Sequence, residues 1–157
     1  MSPLATEWKE IAEPTAQQEM RAVQLAGVLD SICEFLKTYV VFSSGAEPVA
    51  IAFWIAHTWI FDAFDYTPYL HIWSPEKRCG KTRLLDCLEL LVAKPWRAVS
   101  PTEAVLYRKI ENDQPTLLLD EVDTVFSGSR DERKEPLRAL LNAGFERKAK
   151  VPRTSAW

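Results

Sequence analysis

Residues 69–92, YLHIWSPEKRCGKTRLLDCLELLV, constrain this protein more than any other stretch. An apolar run, Tyr69–Trp73, leads into a polar turn, Ser74–Cys79. The turn closes on Gly80-Lys81-Thr82, and an apolar pattern at helical spacing begins at once. Strand, loop, Gly-Lys-Thr and helix, in that order, is the layout of a phosphate-binding loop. The reason lies in the backbone. The first N–H groups of a helix have no partner inside it, and the helix dipole adds partial positive charge at that end. A triphosphate fits such a cup. In this reading the whole loop, Ser74, Pro75, Glu76, Lys77, Arg78, Cys79, Gly80, Lys81 and Thr82, cradles the nucleotide. Lys81 reaches the β and γ phosphates, and the Thr82 hydroxyl holds Mg²⁺. The usual pattern opens on glycine, whereas this one has Pro75, which fixes φ and offers no N–H. The alternative is an ordinary strand-to-helix turn with a chance lysine.

A second motif lies 39 residues after Lys81. Thr116–Asp120 reads as a strand whose aliphatic run, Leu117, Leu118 and Leu119, ends in Asp120 and Glu121. A buried strand delivers both carboxylates at its carboxyl end, where ligands of open α/β sheets bind. Asp120 is the expected metal ligand, and Glu121 the base that orients and deprotonates an attacking water. Asp123 is a weaker candidate for the same metal shell. An exposed acidic strand end is the alternative.

The other residues are expected to build a fold around these motifs. Ala16–Phe42 has helical periodicity, with Met20, Val23, Ile32, Leu36 and Val40 among its buried candidates and Gly27 as a point of interruption. Ser43-Ser44-Gly45 is a break. Glu47–Ala63 reads as a second helix with Pro48 in its first turn. It is apolar nearly all round and so is expected to be buried. His57 within it is expected to be a packed or hydrogen-bonded histidine, and His71 to be structural. Tyr69–Ser74 is expected to be the first strand, apolar on both faces, which fits a parallel sheet covered by helices. Leu84, Leu85, Leu88, Leu91 and Val92 form one stripe on the next helix. Trp96–Val99 is a short strand. Ser100, Pro101 and Glu103 read as cap, first turn and capping box of a helix running to about Glu111. Ser127–Lys134 is a polar loop. Glu135–Asn142 is a short helix with Leu137, Leu140 and Leu141 inward and Gly144 near its end.

Composition limits the function classes. The sequence is 157 residues long, 47% apolar and 26% charged, which suits one globular domain with one core. No segment reaches the roughly 20 uninterrupted apolar residues of a membrane helix. The N-terminus lacks a basic stretch followed by an apolar one, so no signal peptide is expected. Three cysteines, Cys33, Cys79 and Cys87, have no metal-type spacing, and a reduced, cytoplasmic location fits best. Residues 127–157 carry eight Lys/Arg against four Asp/Glu, while residues 1–126 carry eleven against eighteen. A basic C-terminal segment of this kind contacts nucleic acid or is simply solvated.

Together, SPEKRCGKT and LLLDE resemble the P-loop NTPases that carry a catalytic Glu beside the metal-binding Asp, the AAA+ and RecA-like branch. Over residues 47–153, the stretches from AFWIAHTWIFDAFDY through LRALLNAGFERKAKVPR resemble an uncharacterised P-loop domain. That domain occurs in bacteria, phages and mobile elements, in helicases or joined to primase-type domains. Ser-Pro at positions 74–75 is usual in that group. The resemblance implies an α/β, three-layer P-loop NTPase fold with a parallel sheet, preceded by N-terminal helices. Residues 1–46 would form the N-terminal helical segment and residues 47–157 the P-loop core. It implies ATP and Mg²⁺ as cofactors and ATP hydrolysis in a replication or helicase-type motor. DNA is a partner in keeping with the basic tail, the full-length form is a homo-oligomer, and no membrane is involved.

Related ATPases continue with a sensor strand, a distal arginine and a helical lid. In their sheet order, 5-1-4-3-2, the fourth strand lies between the P-loop strand and the Asp-Glu strand. Lys148–Arg153 is too polar to supply it and is expected to belong to a hairpin. The sheet is therefore expected to be incomplete and the P-loop core truncated at its C-terminus. An arginine finger would come from a neighbouring subunit or from further sequence, with Arg130, Arg133, Arg138, Arg147 and Arg153 as candidates. Hydrolysis by these residues alone is expected to be weak. A nucleotide-binding regulatory module without turnover is the second reading. A P-loop kinase is the third, and the adjacent Asp-Glu pair argues against it.

Overall fold

The computed structural model describes residues 16–73, 80–99, 101–120 and 144–145. Its longest element is helix α1, Ala16–Tyr39, which runs through Gly27 without a break. Among its described side chains, the packed ones lie in the second half. Cys33 and Leu36 are buried, Ile32, Phe35 and Val40 lie against the core, and Met20 is 65% exposed. Met20 is therefore a correction to the expected core. Helix α1 meets helix α2 (Ala46–Trp59) and α3 (Lys81–Leu91), and the described side chains before Leu29 are exposed. The side chain of Val23 lies outside the described residues.

Helix α2 follows a tight connection. Glu47 accepts hydrogen bonds from the Ser43 backbone N–H at 3.0 Å and the Ser43 hydroxyl at 2.7 Å, which ties the turn to the helix start. Pro48 is buried in the first turn, where a missing N–H costs nothing. The helix buries Ile51, Ala52, Ile55 and Thr58 on one face. Val49, Phe53 and Trp59 are exposed, so the helix is covered on one side rather than all round. It also ends earlier than expected, and Phe61–Ala63 forms a 3₁₀ turn. His57 contacts the Thr67 hydroxyl at 3.4 Å and packs against the Phe64 ring at 4.7 Å, as a structural histidine should.

Tyr69–Trp73 does not form the expected strand. It keeps a strand's alternation, with Leu70 and Ile72 against the core and Tyr69, His71 and Trp73 exposed. Among the described residues it has no ladder partner: the two described strands, β1 (Pro95–Val99) and β2 (Thr116–Asp120), pair with each other. Alternation sets which side chains turn inward. A strand also needs a neighbour at the right register.

Strands β1 and β2 are parallel, in register from Pro95↔Thr116 to Val99↔Asp120. The crossover between them is helix α4, Glu103–Asp113. A helix linking two parallel neighbours is what such a pair requires. The cap of α4 is Thr102, whose side chain makes no capping bond, and Gln114 closes its far end at φ +47. The expected cap, Ser100, lies outside the described residues, as do Ser127–Lys134, the Glu135–Asn142 helix and Lys148–Arg153. The main core joins Leu36, Ile51, Ile55, Leu84, Leu85, Leu88, Val92 and Leu118. The leucine stripe read from α3 thus lies at the centre of the described core. Leu106 on α4 forms a smaller cluster with Trp96, Ile110 and Leu117.

The described architecture is mixed α/β: four helices, the first two N-terminal to a small two-stranded parallel sheet. Among the described residues no helix is long and apolar enough to cross a membrane.

Candidate functional site

Helix α3 starts abruptly. Gly80 has φ +89 and ψ 3, in the left-handed region where glycine alone is unstrained. The left-handed step turns the incoming backbone so that Lys81 is already helical. The first α3 bond runs from the Leu84 N–H to the Gly80 carbonyl at 2.9 Å. The N–H groups of Lys81, Thr82 and Arg83 therefore precede the helical ladder. This end has no cap hydrogen bond from a side group, and its first turn holds no acidic residue.

That composition is unusual for a helix start. Ser, Thr, Asp or Asn is favoured at the cap, and Asp or Glu in the first turn. Here Lys81 and Arg83 place two cations on the positive end of the dipole. Left to itself this arrangement disfavours the helix by about 0.3–1 kcal/mol per charge. An anion at the helix mouth reverses the sign. Lys81 is half-buried and Thr82 is exposed beside it.

Asp120 is the last residue of β2, opposite Val99 of β1. Its Oδ2 lies 3.5 Å from Nη2 of Arg97, which projects from the middle of β1. The same guanidinium donates from Nη1 to Asp86 Oδ1 at 2.6 Å and lies 3.7 Å from Glu89 Oε2. Asp86 and Glu89 stand three residues apart on α3 and so share a face. The hydrogen bond to Asp86, with Asp120 as a smaller influence, raises the Arg97 pKa and keeps the guanidinium charged.

The direction of α3 follows from its far end. After Leu91 the backbone needs three residues, 92–94, to enter β1 at Pro95. There the Thr116 hydroxyl donates to the Ala93 carbonyl at 2.6 Å and the Thr116 N–H to the Lys94 carbonyl at 3.1 Å, so both strands start beside the end of α3. Helix α3 packs on both strands, and Arg97 bonds back to it. The helix therefore runs back along the sheet. Eleven helical residues span about 16 Å, and five strand residues about 16 Å. By these lengths Lys81 and Thr82 would fall near the level where Val99 and Asp120 end, the carboxyl edge at which open α/β sheets take ligands.

On those lengths Lys81, Thr82 and Asp120 would share one edge; the contact that joins Asp120 to α3 runs through Arg97 to Asp86. Ser74–Cys79, Glu121 and Asp123 lie outside the described residues, and so do Arg130, Arg133, Arg138, Arg147 and Arg153. A hydroxyl and a carboxylate are hard oxygen donors of the kind Mg²⁺ prefers. Among the described residues no three His, Cys, Asp or Glu converge to hold a metal by themselves. Such a donor set fits a cation that takes its remaining ligands from phosphate and water. Sequence reasoning passed over Arg97, Asp86 and Glu89. Two acids at i, i+3 on the helix after the loop, followed by an arginine two residues into the next strand, were the available signal.

No family model matches this sequence, and neither a curated protein nor a solved structure matches it.

Proposed function

We propose that the protein binds ATP with Mg²⁺ at the start of α3 and hydrolyses it, as the P-loop NTPase core of a replication or helicase-type motor of a phage or mobile element. The observation that carries this reading is the helix mouth: a left-handed Gly80, then an uncapped first turn with Lys81 and Arg83 and no acid. Anion binding gives that combination a favourable sign. The parallel strand ending in Asp120 on the same edge supports a metal-dependent triphosphate in particular.

In this reading the loop from Ser74 to Thr82 wraps the phosphates. Lys81 offsets charge on the γ-phosphate, while Thr82 and Asp120 face the cation. Thr82 and Asp120 would hold Mg²⁺, which would supply a positive charge against the negative charge that develops on the phosphates. Glu121 takes a proton from water, whose oxygen attacks the γ-phosphorus. The bond to the β-phosphate oxygen breaks and ADP leaves. The finer architecture proposed is the three-layer P-loop fold with the sheet order 5-1-4-3-2. The β1–β2 pairing is consistent with the 3-2 part of that order. DNA is the proposed polymer partner through the basic segment 127–157, and a homo-oligomer supplies the arginine finger. The free thiols Cys33 and Cys87 suit a reduced, cytoplasmic setting.

A second reading, a nucleotide-binding module without turnover, is favoured by one observation. Asp120 lies against Arg97 and so shares its carboxylate with a protein cation. Glu121→Gln separates the two readings. Loss of hydrolysis by about 10²–10⁴-fold with ATP affinity retained supports the enzyme. Parent and variant with equal, background phosphate release support the module. A parent protein that binds no ATP refutes both.

A further inference from the structure

We propose that Arg97 is a positioning residue for this site, holding the helix that carries Lys81 and Thr82 and the strand that carries Asp120 in one fixed relation. The inference rests on the nucleotide-binding reading and extends it to a residue outside the loop and the acid pair.

Three carboxylates from two elements meet one guanidinium. Asp86 at 2.6 Å and Glu89 at 3.7 Å come from α3, and Asp120 at 3.5 Å comes from the end of β2. Arg97 itself sits on β1, between the two, with its side chain 23% exposed. The guanidinium is planar and carries donors in a fixed fork, so satisfying one partner orients it toward the others. The short bond to Asp86 is the anchor. With that bond made, Nη2 faces Asp120, and the direction of the Asp120 carboxylate depends on a helix that it does not itself belong to. Thr82 lies one turn before Asp86 on that helix, at i, i+4, so both share a helical face. A cation taking one oxygen from Thr82 and one from Asp120 needs their separation set to within a few tenths of an ångström. Arg97 touches both elements, Asp86 of α3 and Asp120 of β2. Without it, three neighbouring carboxylates lose a guanidinium that all of them face, and their mutual repulsion moves them apart. Lys at this position keeps the charge but loses the planar fork.

The test uses the 157-residue protein, a fluorescent ATP analogue and Mn²⁺ followed by electron paramagnetic resonance. Nucleotide affinity is measured in chelator and at saturating Mn²⁺, and the Mn²⁺ concentration for half-saturation is read in the presence of nucleotide. Arg97→Gln is expected to leave the chelator affinity within about twofold and to raise the Mn²⁺ half-saturation about tenfold, the usual effect of removing a group that orients a metal ligand. Arg97→Lys is expected to recover part of that loss. Should Arg97→Gln not fold, Asp86→Asn removes only the exposed anchor and is expected to raise the Mn²⁺ half-saturation severalfold. Folded variants with unchanged or tighter Mn²⁺ binding overturn the positioning role. A parent that binds nucleotide in neither condition overturns the underlying reading instead.

Discussion

The hydroxyl of Thr58 joins two elements that are far apart in sequence: it accepts the Ala93 N–H at 3.1 Å while donating to the Ile55 carbonyl at 2.7 Å. Thr58 is the one buried polar side chain among the described residues. Its bond fastens the end of α2 to the turn where α3 gives way to β1. The Trp59 indole makes a parallel tie, donating to the Leu91 carbonyl at 2.9 Å. The end of α2 is thus docked beside the start of β1, away from the strand end that carries Asp120.

Thr58→Val keeps the shape and removes the acceptor. The Ala93 N–H then loses its bond in a half-buried position. The variant is expected to be less stable by about 1–3 kcal/mol, with Thr58→Ser close to the parent. Urea unfolding followed by circular dichroism checks both. Equal midpoints for Thr58→Val and the parent would show that water replaces the hydroxyl without loss.

Leu88 is 1% exposed at the centre of the stripe that α3 turns toward Leu36, Ile55 and Leu118. Leu88→Ala is expected to cost about 2–5 kcal/mol. Leu90, on the same helix but exposed, is expected to tolerate alanine within about 0.5 kcal/mol. The pair measured by urea unfolding tests the orientation of α3 directly, because a helix rotated by half a turn would exchange the two results.

These contrasts show why some of the molecule is legible in its residues and some is not. The stripe Leu84, Leu85, Leu88 and Val92 repeats at helical spacing, and a helix is a local structure, so its period names its buried face. Strand β2 is equally plain, since an aliphatic run bounded by Pro115 and two acids admits few other readings. Tyr69–Trp73 has the right alternation, but ladder formation depends on residues distant in sequence, which no local pattern reports. Met20 has the right periodicity, yet it lies in the half of α1 whose described side groups are exposed. The site divides along the same line. Lys81, Thr82 and Asp120 stand out as candidates because each belongs to a contiguous motif. Arg97 is not, because its role arises only where β1 packs on α3 in one register.

Glu47 gives the α1–α2 connection a pH dependence. Its hydrogen bond from the Ser43 hydroxyl, helped by backbone N–H groups of Ser43 and Ser44, holds its pKa below the ordinary value of 4.5. A carboxyl whose pKa is depressed by folding adds stability above its unfolded value and loses it as pH falls through the folded one. The stability difference between the parent and Glu47→Gln is therefore expected to be positive and flat near neutrality and to disappear in acid, below the ordinary value of 4.5. Thermal melts across that range check this, and a difference that grows on acidification would contradict it. The group is only half-buried and solvent screens it, so the effect is expected to be small.

The start of α3 sets stability and binding against each other. Lys81 is a cation at the positive end of a helix dipole, in a first turn with no acid to offset it. Lys81→Ala is expected to stabilise the nucleotide-free protein by about 0.3–1 kcal/mol. The same substitution removes a charge-assisted bond to phosphate worth about 1.5–3 kcal/mol, so ATP affinity is expected to fall by roughly 10- to 150-fold at about 1.4 kcal/mol per decade. Gly80→Ala is expected to behave differently. Its Cβ meets nothing within 4 Å, so the cost is the left-handed backbone alone, about 1–2 kcal/mol of stability. Affinity falls with it as the helix mouth is reshaped. Thermal melts and fluorescent-nucleotide titrations are run on both variants. A chance lysine after an ordinary turn predicts the same gain in stability from Lys81→Ala but no change in nucleotide affinity. A phosphate-binding helix start predicts opposite signs for Lys81→Ala, a gain in stability with a loss of affinity, and two losses for Gly80→Ala.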